Sequence, residues 1–245
     1  MSITKSKLEI KNLGKAYLNK RVIQDISFSV SSGEVVGLFG PNGAGKTTCF
    51  YMVMGMVSPD FGSIFLDGKD ITKLPMYKRA KLGMGYLPQE PSIFSGLTVE
   101  DNIMAILEIV EPYHINRVNR LNELLADFSI THLREAESSH LSGGERRRLE
   151  IARALAANPK FMLLDEPLAG IDPIAVSDVK ELIFALKKRG IGVLVTDHNV
   201  RDTLSIVDRA YIISEGNVLV SGTPAEVAKN KKARSVYLGE SFDIM

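Results

Sequence analysis

The chain has little of what marks a secreted or membrane-spanning protein. Its 245 residues include one cysteine, Cys49, so no internal disulfide can form. No apolar run approaches the ~18 residues of a spanning helix, and the N-terminal stretch MSITKSKLEI lacks the apolar core of a secretory signal. We therefore expect a globular cytoplasmic protein in which Cys49 is a small buried residue.

An excess of charge of one sign is also missing. The 30 Lys and Arg residues are balanced by 29 Asp and Glu residues, which gives a formal net charge of +1. This balance leaves no global electrostatic footprint for nucleic acid, and we expect no nucleic-acid partner. The basic runs at 146–148, 187–189 and 229–234 are of the kind that usually forms solvated faces.

One glycine-rich stretch dominates what is present. GPNGAGKTT, residues 40–48, fits the phosphate-loop pattern G-x-x-x-x-G-K-[ST] at every fixed position. An apolar run of strand type precedes it at 34–39, and a helical pattern from Thr47 to Met56 follows, whose apolar spacing is set by Phe50, Val53, Met54 and Val57. Glycines let backbone N–H groups face a phosphate, and the helix N-terminus adds partial positive charge. This context favours a nucleotide site over a ligand-free turn.

Every residue of this loop is a candidate for contact with the nucleotide. Lys46 would reach the β- and γ-phosphates, and the Thr47 hydroxyl is placed to bind Mg²⁺. Tyr17, upstream among predicted strands, could stack on adenine, although an ordinary half-buried tyrosine explains it equally well. The predicted loop ligands are Gly40, Pro41, Asn42, Gly43, Ala44, Gly45, Lys46, Thr47 and Thr48.

Around the loop, the sequence predicts an α/β fold, a P-loop nucleotide-hydrolase core with two additions. Alternating segments at 8–30 and 63–66 predict a small antiparallel β layer. Three helices predict an inserted helical subdomain, which begins at the Thr98 cap. We expect one domain over residues 1–245, with the core at roughly 1–88 and 159–245 and the helical subdomain at roughly 89–158.

The third helix of the insertion begins in an unusual way. Ser142 and Glu145 have the spacing of a capping box, so a well-capped helix is one interpretation. Gly143 and Gly144, however, are costly in a first helical turn. They expose backbone N–H groups at the positive end of the helix, which suits an anion such as a γ-phosphate.

Two adjacent carboxylates follow a buried apolar strand at 161–164. Such residues face the ligand crevice of a parallel sheet. Asp165 would hold Mg²⁺ through water, and Glu166 would act as the base for the attacking water. Without the phosphate loop upstream, Asp-Glu-Pro would be interpreted as a simple strand terminator.

Two further polar side chains could complete a site for γ-phosphate hydrolysis. Gln89 could bind the metal or the water through its amide oxygen, although a lone glutamine before a turn carries no such meaning. His198 follows the apolar strand at 191–196 and could hydrogen-bond the γ-phosphate. A histidine at a strand end is more often an ordinary satisfied polar residue.

The motifs GPNGAGKTT, YLPQE, LSGGERRR, FMLLDEP, AGID and TDHNV, in this order and spacing, resemble the ATP-binding cassette (ABC) ATPase domain. The resemblance covers essentially the whole chain. It implies a head-to-tail homodimer with two ATP molecules at its interface, in which the LSGGE stretch of one copy closes over the phosphate loop of the other. It also implies a coupling role for Gln89, a sensor role for His198 and a cross-dimer contact for Asp172. AGID departs from the commoner Ser-Ala-Leu-Asp but keeps the acidic position.

Within this family, YLPQEPSIF, TDHNV and the ending YLGESF look like ATPase subunits of lipopolysaccharide exporters. ATPases of branched-chain amino-acid importers are similar and stay open as the alternative. A soluble ABC protein acting on ribosomes or DNA would commonly carry two cassettes or long insertions, and a regulatory module without turnover would not need Glu166 and His198.

The resemblance implies transmembrane permease subunits as partners and a peripheral place on the cytoplasmic face of the inner membrane. The stretch from Gln89 to Thr98 lies between the two predicted subdomains, where such subunits would dock. Phe94 could be an apolar anchor in that groove, and a core phenylalanine is the competing interpretation.

Overall fold

The computed structural model describes residues 5–18, 20–169, 173–239 and 242. Strands of this part of the chain form one mixed sheet. They are β1 (Lys7–Tyr17), β2 (Lys20–Ser31), β3 (Val35–Phe39), β4 (Phe61–Leu66), β5 (Lys69–Asp70), β6 (Met84–Leu87), β7 (Phe161–Asp165), β8 (Gly192–Thr196), β9 (Arg209–Ser214) and β10 (Asn217–Gly222). Their spatial order is β5-β4-β1-β2-β10-β9-β3-β8-β7-β6.

Helices cover the sheet and form the insertion. They are α1 (Lys46–Met54), α2 (Met76–Lys81), α3 (Val99–Val110), α4 (His114–Asp127), α5 (Gly143–Ala156), α6 (Pro173–Lys188), α7 (Val200–Leu204), α8 (Pro224–Lys229) and α9 (Lys231–Ala233). Short 3₁₀ turns lie at Thr131–Leu133 and Ser138–His140, and a π turn lies at Arg234–Leu238. Among the described residues, no helix is both long and apolar enough to cross a bilayer.

The parallel half of the sheet places the candidate site. β6, β7, β8, β3 and β9 pair in parallel, and β3, β7 and β8 are buried along their whole length. Because carboxyl ends of parallel strands meet at one sheet edge, the residues after Phe39, Leu87, Leu164 and Thr196 converge there.

The antiparallel half forms the predicted β layer. β1 pairs with β2 and with β4, and one parallel pair, Asn217 with Asp25, joins β10 to β2. The turn between β4 and β5 holds Asp67 and Gly68 at φ 51° and 79°, as a two-residue hairpin of the primed type requires. The fold class predicted from the sequence, an α/β core with an antiparallel layer and a helical insertion, is confirmed.

Helix α1 packs between the parallel strands and the antiparallel layer. Cys49, Phe50 and Val53 are buried against this layer, in one cluster with Leu8 and Ile26. Burial raises the pKa of the Cys49 thiol to about 12, so the prediction of an inert buried cysteine is confirmed.

A buried arginine fixes the far end of α1. The Arg79 guanidinium donates from Nη1 to the carbonyl oxygens of Met52 (2.8 Å) and Val53 (2.6 Å). Its Nε donates to Leu74 O and its Nη2 to Thr72 O, each at 2.8 Å. Burial lowers the pKa of Arg79 to about 10, which leaves it charged at neutral pH. The cation thus satisfies the last carbonyls of α1 where the helix dipole is negative.

The elements depart from the sequence-based expectations in three places. Helix α1 ends at Met54 and does not reach Val57, because Gly55 adopts φ 81° and terminates it. The spacing of Ile103, Ile106, Leu107 and Val110 predicts that these residues share the buried face of α3, but Val110 is exposed. The capping pattern at 223–226 predicts the final helix of the chain, but α9 and the π turn follow α8. The short helices α2 and α7 were not predicted.

Candidate functional site

The loop between β3 and α1 is shaped by its glycines. Gly40, Gly43 and Gly45 adopt φ values of 150°, 76° and 103°, a region that other residues rarely enter. A Cβ at Gly40 would overlap the carbonyl oxygen of Ile213, and one at Gly45 would overlap the side chain of Ile23. Both glycines are therefore required by the fold itself, before any ligand is considered.

Lys46 is held inside this loop. Its side chain is 7% exposed, and its Nζ donates to the carbonyl oxygens of Gly40 (2.7 Å) and Pro41 (3.1 Å). Burial lowers the pKa of Lys46, and the negative charge of Glu166 partly opposes this. The ammonium group is thus placed in the concavity of the loop, as expected for a group that meets phosphate oxygens.

A cavity of about 360 Å³ opens in front of the loop. Thr47 is exposed at its wall, and His198 closes it from the end of β8. Tyr17 is half-exposed at the end of β1, with Lys15 Nζ 5.7 Å from its ring centroid, and is not part of the cavity wall. Its adenine contact stays a prediction. The residues lining the cavity are Val22, Asn42, Gly43, Gly45, Lys46, Thr47, Thr48 and His198.

Asp165 ends β7 as a buried carboxylate. Burial raises its pKa to about 6, and repulsion from Glu166 adds to the shift. Tyr86, on the neighbouring strand β6, opposes this rise through its hydroxyl group. A carboxylate in this position gains from a nearby cation, which makes it a suitable outer ligand for a divalent metal.

Glu166 is strained and paired. Its backbone adopts φ 47°, uncommon for a residue with a side chain, and its N–H donates to Thr196 O at 2.7 Å. Its Oε1 lies 2.8 Å from Nε2 of His198. The predicted base and the predicted γ-phosphate sensor are therefore in direct contact beside the phosphate loop.

Gln89 reaches the same region from the end of β6. It is exposed, and it shares with Glu166 and Gly143 a second cavity of about 220 Å³. Three predicted parts of the site, the glutamine, the base and the first glycine of the pair, thus border one space.

The stretch 142–145 forms the predicted capping box. Ser142 Oγ donates to Glu145 Oε2 at 2.6 Å, and Ser142 N–H donates to the same oxygen at 2.9 Å. A Cβ added at Gly143 or Gly144 would meet no atom within 4 Å. Packing within the described chain requires neither glycine. The helix stability that the two glycines cost is therefore not offset by any packing contact there.

Sequence reasoning missed the residues that hold the segment after Gln89. Glu150 is buried, and its carboxylate accepts from Ser92 N–H and from Arg147 Nη1, each at 2.9 Å. Arg153 donates to Ser92 Oγ at 2.8 Å. The expectation that 146–148 is a solvated face is therefore wrong for Arg147. The spacing of charges at 147, 150 and 153 along one helix face was the available signal.

The contacts described above include neither the predicted dimer contact of Asp172 nor a preformed metal site. Asp172, the predicted cross-dimer contact, lies outside the described residues. Within the described ranges, no group of three or more His, Cys, Asp or Glu side chains is arranged to hold a metal ion. A magnesium site here would depend on Thr47, Gln89 and Asp165 together with phosphate and water oxygens.

Comparison with known proteins agrees with this geometry. The family described as "ABC transporter" matches residues 23–169. The chain is 57% identical over 236 residues to the lipopolysaccharide export system ATP-binding protein LptB of Escherichia coli K12, covering 96% of this chain and 98% of that protein. It is 55% identical to LptB of Haemophilus influenzae, covering 97% of this chain and 99% of that protein.

A relative of unassigned cargo and a solved structure agree. An uncharacterized ABC transporter ATP-binding protein of Rhizobium meliloti is 58% identical, covering 96% of this chain and 87% of that protein. The crystal structure of an ABC transporter's ATP-binding cassette in its ADP conformation superposes with a TM-score of 0.85 at 28% identity, covering 97% of this chain and 100% of that one. On the phosphate loop, the carboxylates of β7 and these matches, the chain belongs to the ABC transporter family as one of its ATP-binding ATPase subunits.

Proposed function

We propose that this chain hydrolyses ATP to power a transporter that extracts and exports lipopolysaccharide from the inner membrane. The observation that carries the catalytic part is the Glu166–His198 contact of 2.8 Å, placed beside the phosphate loop. The cargo rests on the LptB proteins of Escherichia coli and Haemophilus influenzae, at 57% and 55% identity. These relatives favour lipopolysaccharide over the branched-chain amino acids that the sequence left open.

The geometry supports a direct role for each side chain in γ-phosphate hydrolysis. Loop N–H groups and Lys46 hold the β- and γ-phosphates. His198 Nε2, now on Glu166, would turn to a γ-phosphate oxygen, and the released Glu166 carboxylate would accept the proton of the attacking water. The water oxygen forms the new bond to phosphorus while the bond to the bridging β–γ oxygen breaks.

The residues present suit Mg²⁺, a hard cation that prefers oxygen ligands. Thr47 offers a hydroxyl, Gln89 an amide oxygen, and Asp165 a buried carboxylate, through water. When bound, Mg²⁺ would neutralise charge on the β- and γ-phosphate oxygens. The raised pKa of Asp165 fits this assignment, because an adjacent cation would restore its ionised form.

We further propose that two copies close head-to-tail around two ATP molecules. A Cβ at Gly143 or Gly144 would meet nothing within 4 Å in the described part of the chain, so this helix start leaves room for the γ-phosphate bound by the other copy to reach its N–H groups. Ser142 and Glu145 stabilise this helix start by capping it. Asp172 remains the predicted contact across the dimer.

The transmembrane subunits are proposed to dock at Phe94, on the cytoplasmic face of the inner membrane. Its side chain is 46% exposed, which opposes the interpretation as a core residue. Its backbone is fixed, since Phe94 N–H donates to Asn102 Oδ1 (2.8 Å) and Phe94 O accepts from Ser138 Oγ (2.8 Å). The Arg153 guanidinium stacks on the ring at 4.7 Å. A rigidly presented aromatic of this kind suits a groove that receives a helix.

Replacing the base tests the catalytic proposal. Glu166→Gln keeps the side-chain shape but cannot take a proton, so ATP should still bind while turnover falls roughly 10²-fold or more. The trapped species should be a dimer with two ATP molecules by sizing and nucleotide counting. Glu215→Gln, in the exposed β9–β10 turn, is the matched control and should behave like the unmodified protein. Wild-type turnover in Glu166→Gln would exclude Glu166 as the base.

Replacing the anchor tests the docking proposal. Phe94→Ala should leave the ATPase rate of the isolated protein nearly unchanged and weaken co-purification with membrane subunits roughly ten- to a hundredfold. Phe184→Ala is the matched control, because Phe184 is 41% exposed on α6. Identification of the recovered membrane proteins also tests the cargo. Parallel loss of melting temperature and ATPase rate in Phe94→Ala would instead indicate a packing role.

A further inference from the structure

Asp197 is a buried carboxylate to which the mechanism above gives no role. It is 1% exposed at the end of β8, and no ion pair joins it within the described ranges. Its two oxygens are used by backbone groups instead. Oδ2 accepts from Leu168 N–H and Oδ1 from Asn199 N–H, each at 2.8 Å.

These two bonds join different loops. Leu168 lies in the loop after β7, two residues beyond Glu166, and Asn199 lies in the loop after β8, next to His198. Asn199 in turn caps α7, since its side chain accepts from Asp202 N–H. The Asp197 carboxylate therefore spans the loop of the base and the loop of the histidine.

The same two loops are connected twice more within a few residues. Glu166 N–H donates to Thr196 O at 2.7 Å, and His198 Nε2 lies 2.8 Å from Glu166 Oε1. The first of these is a backbone bond that holds the strained Glu166 conformation. The second joins the side chains themselves. The two oxygens of Asp197 fix the backbones on both sides of that contact.

We propose that Asp197 is a positioning residue for ATP hydrolysis, which sets the separation of Glu166 and His198 by clamping their loops together. This inference rests on the proposed function, because it assumes the roles given to those two residues. A carboxylate is required for this clamp, since both partners are N–H donors. An amide in its place would turn one NH₂ group toward a backbone N–H, and one clamp would be lost.

The test compares two aspartates that each accept a bond from a backbone N–H: Asp197, which is buried beside the site, and Asp208, which is exposed, paired with Lys187 and distant from the site. Asp197→Asn breaks the clamp without changing the side-chain volume. Asp208→Asn is the control, because Asp208 Oδ2 accepts from Val35 N–H at 2.9 Å, at the opposite end of β3 from the phosphate loop. For both variants we would measure kcat, KM for ATP, melting temperature and the imidazole ¹⁵N signals of His198. The protein contains 4 histidines, so His198 is assigned with a His198→Gln variant.

Asp197→Asn should lower kcat roughly ten- to a hundredfold, the cost of misplacing a catalytic group by a fraction of an ångström to about 1 Å. KM for ATP should stay within about twofold, because no phosphate ligand is touched. The Nε2 signal of His198 should shift as its bond to Glu166 changes. Asp208→Asn should alter neither kcat nor the His198 signal, whatever it does to the melting temperature.

Wild-type kcat and an unchanged His198 signal in Asp197→Asn would overturn the inference. So would a loss of kcat that only follows the folded fraction. If Asp197→Asn does not fold, Asp197→Ser, which keeps a small oxygen acceptor, is measured against the same criteria. Failure of the proposed function is separate. It would appear as full turnover in Glu166→Gln, while the His198 signal would still report whether Asp197 sets the contact.

Discussion

The phosphate loop at 40–45 and the signature stretch at 142–145 are both glycine-rich starts of helices, yet their surroundings differ. In the phosphate loop, glycines are enforced by positive φ angles and by backbone from a neighbouring strand, and Lys46 is already held inside the curve. In the signature stretch, the glycines face open space and nothing in the described chain needs them. The first loop is required by the fold, whereas the glycines of the second are not explained by packing within the described chain.

This difference separates folding from assembly. Replacing a residue that the monomer's own fold requires should lower the free energy of unfolding. Replacing a residue that is needed only for contact with a second copy should lower ATP turnover and leave the free energy of unfolding unchanged or higher. Substitutions in the two stretches, and at two carboxylates whose pKa values are shifted in opposite directions, test the comparison.

The largest effect is expected at Gly40. In Gly40→Ala, the added Cβ would overlap Ile213 O in a backbone conformation that alanine avoids, so the free energy of unfolding should fall by about 3 kcal/mol or more. Chemical denaturation measures this. Gly96→Ala is the control, because a Cβ at Gly96 meets nothing within 4 Å. Equal stability of the two variants would refute the claim that the fold itself requires Gly40.

Lys46→Ala should leave folding nearly intact and lower turnover roughly 10²- to 10³-fold. The reason is loss of a buried ammonium group aimed at developing phosphate charge. ATP affinity, measured by calorimetry, should fall in parallel. Lys15→Ala, which removes an ion pair to Asp60 on the β layer, is the control and should keep full turnover. Full turnover in Lys46→Ala would contradict the assignment of the loop.

Asp165→Asn should stabilise the nucleotide-free protein in a pH-dependent way. Because the folded-state pKa of Asp165 is raised from 3.8 to about 6, the native state loses stability relative to the unfolded state as pH rises from about 4 to 7. The asparagine does not titrate, so the variant's advantage should grow from near zero at pH 4 to at most about 3 kcal/mol at pH 8. Unfolding curves across this pH range measure it.

Asp60→Asn is the counterpart of Asp165→Asn, because its effect on the free energy of unfolding should depend on pH in the opposite direction. The pKa of Asp60 is lowered by its hydrogen bonds to Lys15 and to Ala16 N–H, so its ionised form contributes stability that is lost as pH falls. Its asparagine variant should therefore be at a disadvantage at pH 8 that disappears at low pH. Parallel pH trends for both variants would contradict the assigned environments.

The smallest effect is expected at Gly144. Gly144→Ala should raise the monomer's free energy of unfolding by roughly 0.5–1 kcal/mol, because alanine is the better helix residue and nothing crowds its Cβ. Turnover should fall all the same, since the Cβ would stand between the backbone N–H groups and the γ-phosphate of the other copy. A stabilised variant with unchanged turnover would remove the argument for closure at this surface.

The phosphate loop could be predicted from its glycines, which backbone φ angles require. The carboxylates of β7 could be predicted because acidic residues follow an apolar strand. Both are short local patterns. Gly55 was an available signal for the end of α1 and was overlooked. Arg79 and Asp197 could not be predicted, because a basic residue in a run such as YKRAK and an acid after a strand both suggest solvent. Their roles depend on carbonyls and N–H groups that are distant in sequence.

The four carbonyl oxygens gathered by Arg79 have a mechanical consequence. Two of these oxygens, Met52 O and Val53 O, belong to α1, so a rotation or slide of the helix would break both of its buried bonds to the guanidinium. The Arg79 guanidinium therefore fixes the C-terminal end of helix α1 to the segment from Thr72 to Arg79. The segment after Gln89 is tied to a different element, α5, because the Glu150 carboxylate of that helix accepts from Ser92 N–H at 2.9 Å.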